Sequence, residues 1–275
     1  MVKMTEEEIW RGLLTGEYEN VHRLRRVFDR VPSPPRCKLC HAPFGGPGGL
    51  ILKPWFGPWS RNTQLCKSCV GGLVKSGVSG GELVLSFLFV DVRGSTGLGE
   101  RLSPGDFTRL LAAFYRIAAN AIVVNDGVVD KFVGDEAIGL FMPGFAGPQH
   151  VARAIAAGRE ILAAVARPDA SPSGPIPVGG GVHTGLAYVG NIGSSEAISG
   201  FTALGDPVNA TARLASLAKA GELLVSIAAA EAAALDTAGL ERRTVEVRGR
   251  EVGLDVYAIP AGDVGAPEPR SLAST

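Results

Sequence analysis

The chain has 275 residues, a hydrophobic content of 46% and a formal net charge of zero. These bounds fit one large or two smaller globular domains with a real core, and the overall charge gives no claim on nucleic acid or a membrane. Residues 1–70 carry 11 Lys+Arg against 6 Asp+Glu, a local excess expected of a solvated helix face.

The N-terminus opens on charged Glu6, Glu7 and Glu8 instead of an apolar leader, and no apolar run reaches the roughly 20 residues of a membrane span. A soluble, cytoplasmic protein is therefore expected. Thr5-Glu6-Glu7-Glu8 forms a capping box that predicts a helix to about Val31. Gly12 and Gly16 weaken it, and Pro32, Pro34 and Pro35 end it, giving an N-terminal helical unit over 1–35.

Residues 36–70 form a second unit holding Cys37-Lys38-Leu39-Cys40 and Cys66-Lys67-Ser68-Cys69, with 25 residues between the pairs. In a reducing compartment such cysteines are metal ligands more often than disulfides. Two CxxC knuckles can supply four thiolates to a structural Zn²⁺, and a small sheet could fill the spacer. Cys37-Lys38-Leu39-Cys40-His41 also fits a c-type haem attachment motif, which the lack of an export signal argues against. An iron–sulfur cluster or a redox dithiol pair would also use these cysteines. Trp55, Phe56 and Trp59 are expected to pack this unit, and a regulatory protein is a candidate partner for it. Residues 71–81 are a linker by composition.

From Glu82 the pattern changes. Strands are expected over 83–91, 127–133, 137–142, 177–188 and 222–226, a hairpin arm near 198–204, and a final strand pair near 240–248 and 251–259. Helices are expected over 104–125, 147–166, 206–219 and 227–234. The βαββαβ order predicts an α+β fold with a ferredoxin-like sheet and helices packed on it, over 82–260. Residues 261–275 are expected to be a disordered tail.

Two carboxylates stand where strands meet tight turns. Asp91 closes an apolar run and opens Val92-Arg93-Gly94-Ser95-Thr96-Gly97. Asp135 sits in the hairpin between the second and third strands. Hard oxygen donors on adjacent turns suit Mg²⁺, and successive N–H groups in a Gly-rich turn suit phosphate. Asn209 and Arg213 add donors on one helix face. These features point to a nucleotide-processing enzyme. His183 stands alone, and no nucleophilic Ser-His-Asp or Cys-His set is present.

Four segments in order carry a family resemblance. They are Phe89-Val90-Asp91-Val92-Arg93-Gly94-Ser95-Thr96, Asp130-Lys131-Phe132-Val133-Gly134-Asp135, Gly181-Val182-His183-Thr184-Gly185, and Phe201-Thr202-Ala203-Leu204-Gly205-Asp206-Pro207-Val208-Asn209-Ala210-Thr211-Ala212-Arg213-Leu214. The span 83–259 resembles the catalytic domain of the class III adenylate and guanylate cyclases. The resemblance implies attack of a ribose 3′-hydroxyl on the α-phosphate with release of pyrophosphate. Two Mg²⁺ or Mn²⁺ ions per site would be held by Asp91, Asp135 and the Val92 carbonyl. Gly94, Ser95 and Thr96 would cradle the β- and γ-phosphates.

By the same resemblance, Asn209 orients the ribose, Arg213 neutralises charge on the α-phosphate, and Lys131 and Thr202 read the purine. A Lys/Thr pair is similar to the bacterial subgroup using ATP, with GTP as the second candidate. Arg248 falls where lysine is usual for the terminal phosphates, and Arg250 is the other candidate for that role. The arm near 198–204 becomes a dimerisation arm in a head-to-tail homodimer with shared sites. Two other functions compete: a silent nucleotide-sensing scaffold, which would be expected to lack one of these residues, and a diguanylate cyclase, whose acidic signature is absent.

Overall fold

The computed structural model describes residues 6–17, 19–31, 33–59, 62–69, 80–192, 200–246 and 253–262. The linker over 71–79, Arg248, Arg250 and the tail from 263 lie outside the described residues. The chain divides into two compact units: Met1–Val84 with Met142–Gly147 and Leu186–Leu204, and Leu85–Phe141 with Pro148–Gly185 and Gly205–Thr275.

In the first unit the expected single N-terminal helix is two helices, α1 (Glu6–Thr15) and α2 (Glu19–Phe28). The break falls at Gly16, whose φ of 82° is left-handed and leaves the α region. Arg25 of α2 fastens the unit by donating from Nε to the Leu39 carbonyl at 2.8 Å and from Nη2 to the Gly144 carbonyl at 2.5 Å. The spacer between the CxxC pairs contains a helix, α3 (Gly46–Phe56), and a two-stranded sheet of β1 (Pro58–Trp59) and β2 (Asn62–Cys66).

The main sheet comprises β3 (Gly80–Val92), β4 (Val128–Val133), β5 (Glu136–Phe141), β6 (Val178–Ile192), β7 (Gly200–Leu204), β8 (Glu222–Ser226), β9 (Glu241–Val245) and β10 (Leu254–Pro260). Its order is β4-β5-β3-β6-β8-β10-β9, with β7 paired antiparallel to β6 as the arm. The first four neighbours have the strand order of a ferredoxin-like βαββαβ unit, as expected. β6 runs parallel to β8, with Gly180 opposite Leu223, which extends the unit by three strands. β3 is buried continuously from Leu85 to Val90, so it lacks simple alternation and lies in the sheet interior.

The helices of the second unit are α4 (Ser95–Arg101), α5 (Pro104–Val124), α7 (His150–Val165), α8 (Asp206–Leu217) and α9 (Ile227–Ala232), while the short α6 (Pro143–Ala146) belongs to the first. Ser103 caps α5 by accepting from the Asp106 N–H at 3.1 Å, with Pro104 at the first helical position. By length and composition α5 could cross a membrane, which departs from the sequence expectation. Here it buries Leu110, Ala113, Phe114, Ala118, Ala121 and Ile122 on one face and packs on α7, β4 and β5 as a core helix. A Cβ at Gly181 would lie 2.6 Å from the Ala215 backbone nitrogen, so glycine lets α8 press directly on β6.

Candidate active site and cysteine centre

Asp91 and Asp135 come together because β3 and β5 pair antiparallel. Asp91 stands opposite Glu136 in that register, and the Val92 N–H donates to the Asp135 carbonyl at 3.1 Å. Between Val133 and Glu136 the β4–β5 turn contains only Gly134 (φ 60°) and Asp135. Tyr115 of α5 fixes this turn: its hydroxyl donates to the Gly134 carbonyl and its ring stacks on Phe132 at 4.4 Å between centroids.

The resulting acidic cluster is short of compensation. Arg93 pairs with Asp91 Oδ2 and also donates to the Ser216 carbonyl at 2.8 Å. Asp91 Oδ1 is buried and makes no hydrogen bond among the described residues. Burial pushes the Asp91 carboxyl up to about 6; Arg93 opposes this and Asp135 adds to it. Burial, with Asp91 and Asp135 beside it, pushes Glu136 up to about 7. Three carboxylates against one guanidinium, with an orphaned buried oxygen, are a donor set that fits a hard divalent cation.

The Gly-rich turn differs from the expected loop. Gly94 has φ 66° and α4 begins immediately at Ser95, so Ser95 and Thr96 form the first turn of a helix. A Cβ at Gly94 would meet nothing within 4 Å, so the requirement for glycine there is conformational.

Asn209 and Arg213 lie on the exposed face of α8, while Pro207, Ala210, Thr211, Leu214 and Ala215 are buried. Arg213 Nε donates to the Glu246 carbonyl at 3.2 Å, and Asn209 makes no side-chain hydrogen bond among the described residues. Lys131 is exposed on β4 and pairs with the buried carboxylate of Asp130 at 3.3 Å. Thr202, in the first unit, is half-buried on β7 opposite Gly190.

Sequence reasoning does not single out Arg93 or Glu136. Arg93 is available to it as the residue two after Asp91, in the turn that follows β3. Glu136 depends on the β3–β5 register, which no local signal gives.

His183 is structural: its Nδ1 and the Ser226 hydroxyl share a buried hydrogen bond of 2.7 Å.

In the first unit the sulfurs of Cys37, Cys40, Cys66 and Cys69 all lie within 4.8 Å of one another. Cys40 Sγ and Cys66 Sγ are 3.7 Å apart, close to the ~3.8 Å edge of a tetrahedron with zinc–sulfur bonds of about 2.3 Å. The Cys66 N–H donates to Cys37 Sγ and the Cys69 N–H to Cys66 Sγ, each at 3.3 Å. Lys38 N–H ties the first knuckle to β2 through the Gln64 carbonyl at 2.9 Å. Hydrogen bonding from Cys40 and its neighbours drives the Cys37 thiol far below the usual range, while contact with Cys37 pushes Cys69 far above it. This cluster can hold a metal ion. His41 Nδ1 lies 2.8 Å from Asp29 Oδ1, outside the cysteine cluster.

Residues 83–260 match the family described as the adenylate and guanylate cyclase catalytic domain. An uncharacterised protein of Mycobacterium tuberculosis is 34% identical over 201 residues, 71% of this chain and 35% of that protein. Adenylate cyclase 1 of Rhizobium meliloti is 27% identical over 199 residues, 68% of this chain and 29% of the enzyme. The chain thus spans about a third of the length of the curated relatives it matches. Among solved structures, the guanylyl cyclase Cya2 superposes with a TM-score of 0.62 at 28% identity, covering 70% of this chain and 98% of that one. The adenylyl cyclase CyaB from P. aeruginosa gives 0.56 at 26%, covering 64% and 93%.

Proposed function

The chain belongs to the adenylate and guanylate cyclase catalytic-domain family, and from that premise we propose that it converts ATP to 3′,5′-cyclic AMP and pyrophosphate. The observation that carries this reading is the convergence of Asp91 and Asp135 around a buried oxygen with no partner among the described residues.

Asp91, Asp135 and the Val92 carbonyl would hold two Mg²⁺ or Mn²⁺ ions. When bound, these ions supply charge that acidifies the attacking hydroxyl and stabilises the leaving oxygen. The chain's own groups do the rest. N–H groups from Gly94 to Thr96 receive the β- and γ-phosphates. Asn209 orients the ribose so that its 3′-oxygen faces the α-phosphate. Arg213 presents a planar fork to the charge that develops there. Lys131 donates to adenine N1, and Thr202 contacts the 6-amino group. Arg248, or Arg250, would meet the terminal phosphates.

The active assembly is a head-to-tail homodimer in which one protomer supplies the carboxylates and its partner supplies Lys131, Thr202, Asn209 and Arg213. The four cysteines hold a structural Zn²⁺, and the unit around them is where a regulatory protein would engage. The site of action is the cytoplasm.

GTP is the second reading, favoured by the likeness to the guanylyl cyclase Cya2. One assay separates the two. Purified protein is incubated with Mn²⁺ or Mg²⁺ and either nucleotide, and the product is identified by mass and retention. Cyclic AMP from ATP, absent with Asp135→Asn, is expected. Cyclic GMP alone, or no cyclic product, overturns the proposal.

A further inference from the structure

Helix α3 runs against the rule that an apolar helix is buried. Its sequence is Gly-Pro-Gly-Gly-Leu-Ile-Leu-Lys-Pro-Trp-Phe, yet Gly49 is its one fully buried position. Leu50, Ile51 and Trp55 are 79%, 70% and 63% exposed. At 100° per residue, Leu50, Ile51, Pro54 and Trp55 fall within an arc of about 140°. The opposite side is already occupied, with the Phe56 ring edge-on to Phe28 at 5.1 Å. The outward face is therefore an apolar surface with no cover among the described residues of the chain.

The charge around this face bears on what could cover it. From Arg30 to Gly81 the chain has seven Lys and Arg and no Asp or Glu. Lys53 is exposed on α3 itself. Lys67, also exposed, is held just beyond the helix end because its N–H donates to the Gly57 carbonyl at 2.9 Å. The nearest acid in sequence, Asp29, is paired with His41.

We propose that α3 is an interfacial anchor: it lies in the headgroup region of an anionic bilayer, with Leu50 and Ile51 toward the acyl chains, Trp55 at the boundary, and Lys53 and Lys67 among the headgroup phosphates. Apolar residues flanked by cations, with a tryptophan between, match this chemistry. A second copy of the chain is a poorer occupant, because a twofold contact would bring together two patches that each carry Lys53 and Lys67. Nucleic acid leaves Leu50, Ile51 and Pro54 without a counterpart, since phosphate recognition uses none of them.

The test is co-sedimentation of the full chain with vesicles of phosphatidylcholine alone, or with about a third phosphatidylglycerol. Binding to the mixed vesicles is expected, with affinity for the neutral ones lower by about tenfold or more. L50S/I51S and K53E/K67E are each expected to weaken binding to the mixed vesicles by about tenfold. In W55F the blue shift of tryptophan emission on vesicle addition disappears, while sedimentation persists. Circular dichroism and bound-metal content confirm that the variants fold.

No sedimentation of the wild type, or full sedimentation of L50S/I51S, overturns the proposal. Self-association in sedimentation velocity that L50S/I51S abolishes, without vesicle binding, assigns the face to a second copy and also overturns it. So does oligonucleotide binding that requires Lys53 and Lys67 but not Leu50 and Ile51, where vesicles are not bound.

Discussion

The shared-site reading makes a quantitative demand on mixtures of damaged subunits. Asp91→Asn removes a cation ligand while keeping the side chain's shape. It also removes a half-buried carboxylate that burial already disfavours in its ionised form. Arg93 keeps its bond to the Ser216 carbonyl at 2.8 Å. Arg213→Ala removes an exposed guanidinium whose one described hydrogen bond is to the Glu246 carbonyl at 3.2 Å. Neither variant has a reason to unfold, and each homodimer should lose a factor of about 10²–10³ in rate. Random reassociation of equal amounts makes half the dimers mixed. Each mixed dimer has one intact site and one doubly damaged site, so the mixture should recover about a quarter of wild-type activity. That is an increase of about 25-fold or more over either variant alone. The assay is cyclic AMP formation by the reassociated mixture; co-expression with two different affinity tags and tandem purification isolates the mixed dimers, which should recover about half of wild-type activity. A mixed dimer no more active than its parents would refute the division of the site between protomers, and an active monomer in light scattering would do the same.

Other consequences are open to simpler measurements. Chelation-resistant zinc is expected at about one ion per chain, and Cys66→Ser should lose it and lower the unfolding midpoint of the first unit; full metal content in that variant would remove Cys66 from the site. Gly94→Ala should cost about 1–2 kcal/mol in urea unfolding through its positive φ, with no steric term. Exchanging Lys131→Glu together with Thr202→Cys should move the GTP-to-ATP ratio of kcat/KM upward by about tenfold or more, and an unchanged ratio would separate these residues from purine reading. His150 is buried against the Ser86 hydroxyl at 2.9 Å, and burial holds its pKa below the usual 6.5. The folded state therefore binds fewer protons than the unfolded chain just below that value. Stability is present above about pH 6.5 and falls as the pH drops toward the folded pKa, so His150→Gln should flatten this limb of a urea-unfolding series.

What is legible in the sequence is what local chemistry dictates. The run Leu83–Val90 leads into Asp91 near the end of the strand, and a carboxylate after a continuous apolar run stands out without knowledge of the partner strand. The shared face of Asn209 and Arg213 on α8 is readable from spacing alone, as is the turn at Gly134-Asp135. The N-terminal helix reads too long because the capping box marks a start and not an end, and Gly16 stops it through a backbone angle that composition only hints at. Helix α3 is hidden because Gly46, Pro47, Gly48 and Gly49 read as loop, whereas Pro47 is tolerated in a first turn and the glycines accommodate close neighbours, the Ser33 and Val31 side chains at Gly46 and Gly48 and the Phe44 backbone at Gly49.

The same distinction separates the halves of the candidate site. Asp91 and Asp135 announce themselves by position in their own strands. Glu136 is ordinary until the β3–β5 register sets it across from Asp91, and Arg93 is ordinary until its guanidinium is found on the Asp91 carboxylate. Those two residues set the charge of the cluster: Arg93 offsets part of the negative charge, and Glu136, pushed up to about 7 by burial and its acidic neighbours, adds to it when ionised. A bound divalent cation favours the ionised form of each carboxylate, so cation binding and ionisation reinforce each other. The residue that local sequence could not flag thus adds to the negative potential that the two aspartates present to a cation. Replacing it with glutamine should weaken Mn²⁺ binding in calorimetry by about tenfold, even though Glu136 is not among the ligands expected from the sequence. An unchanged affinity would leave Asp91 and Asp135 to account for the site alone.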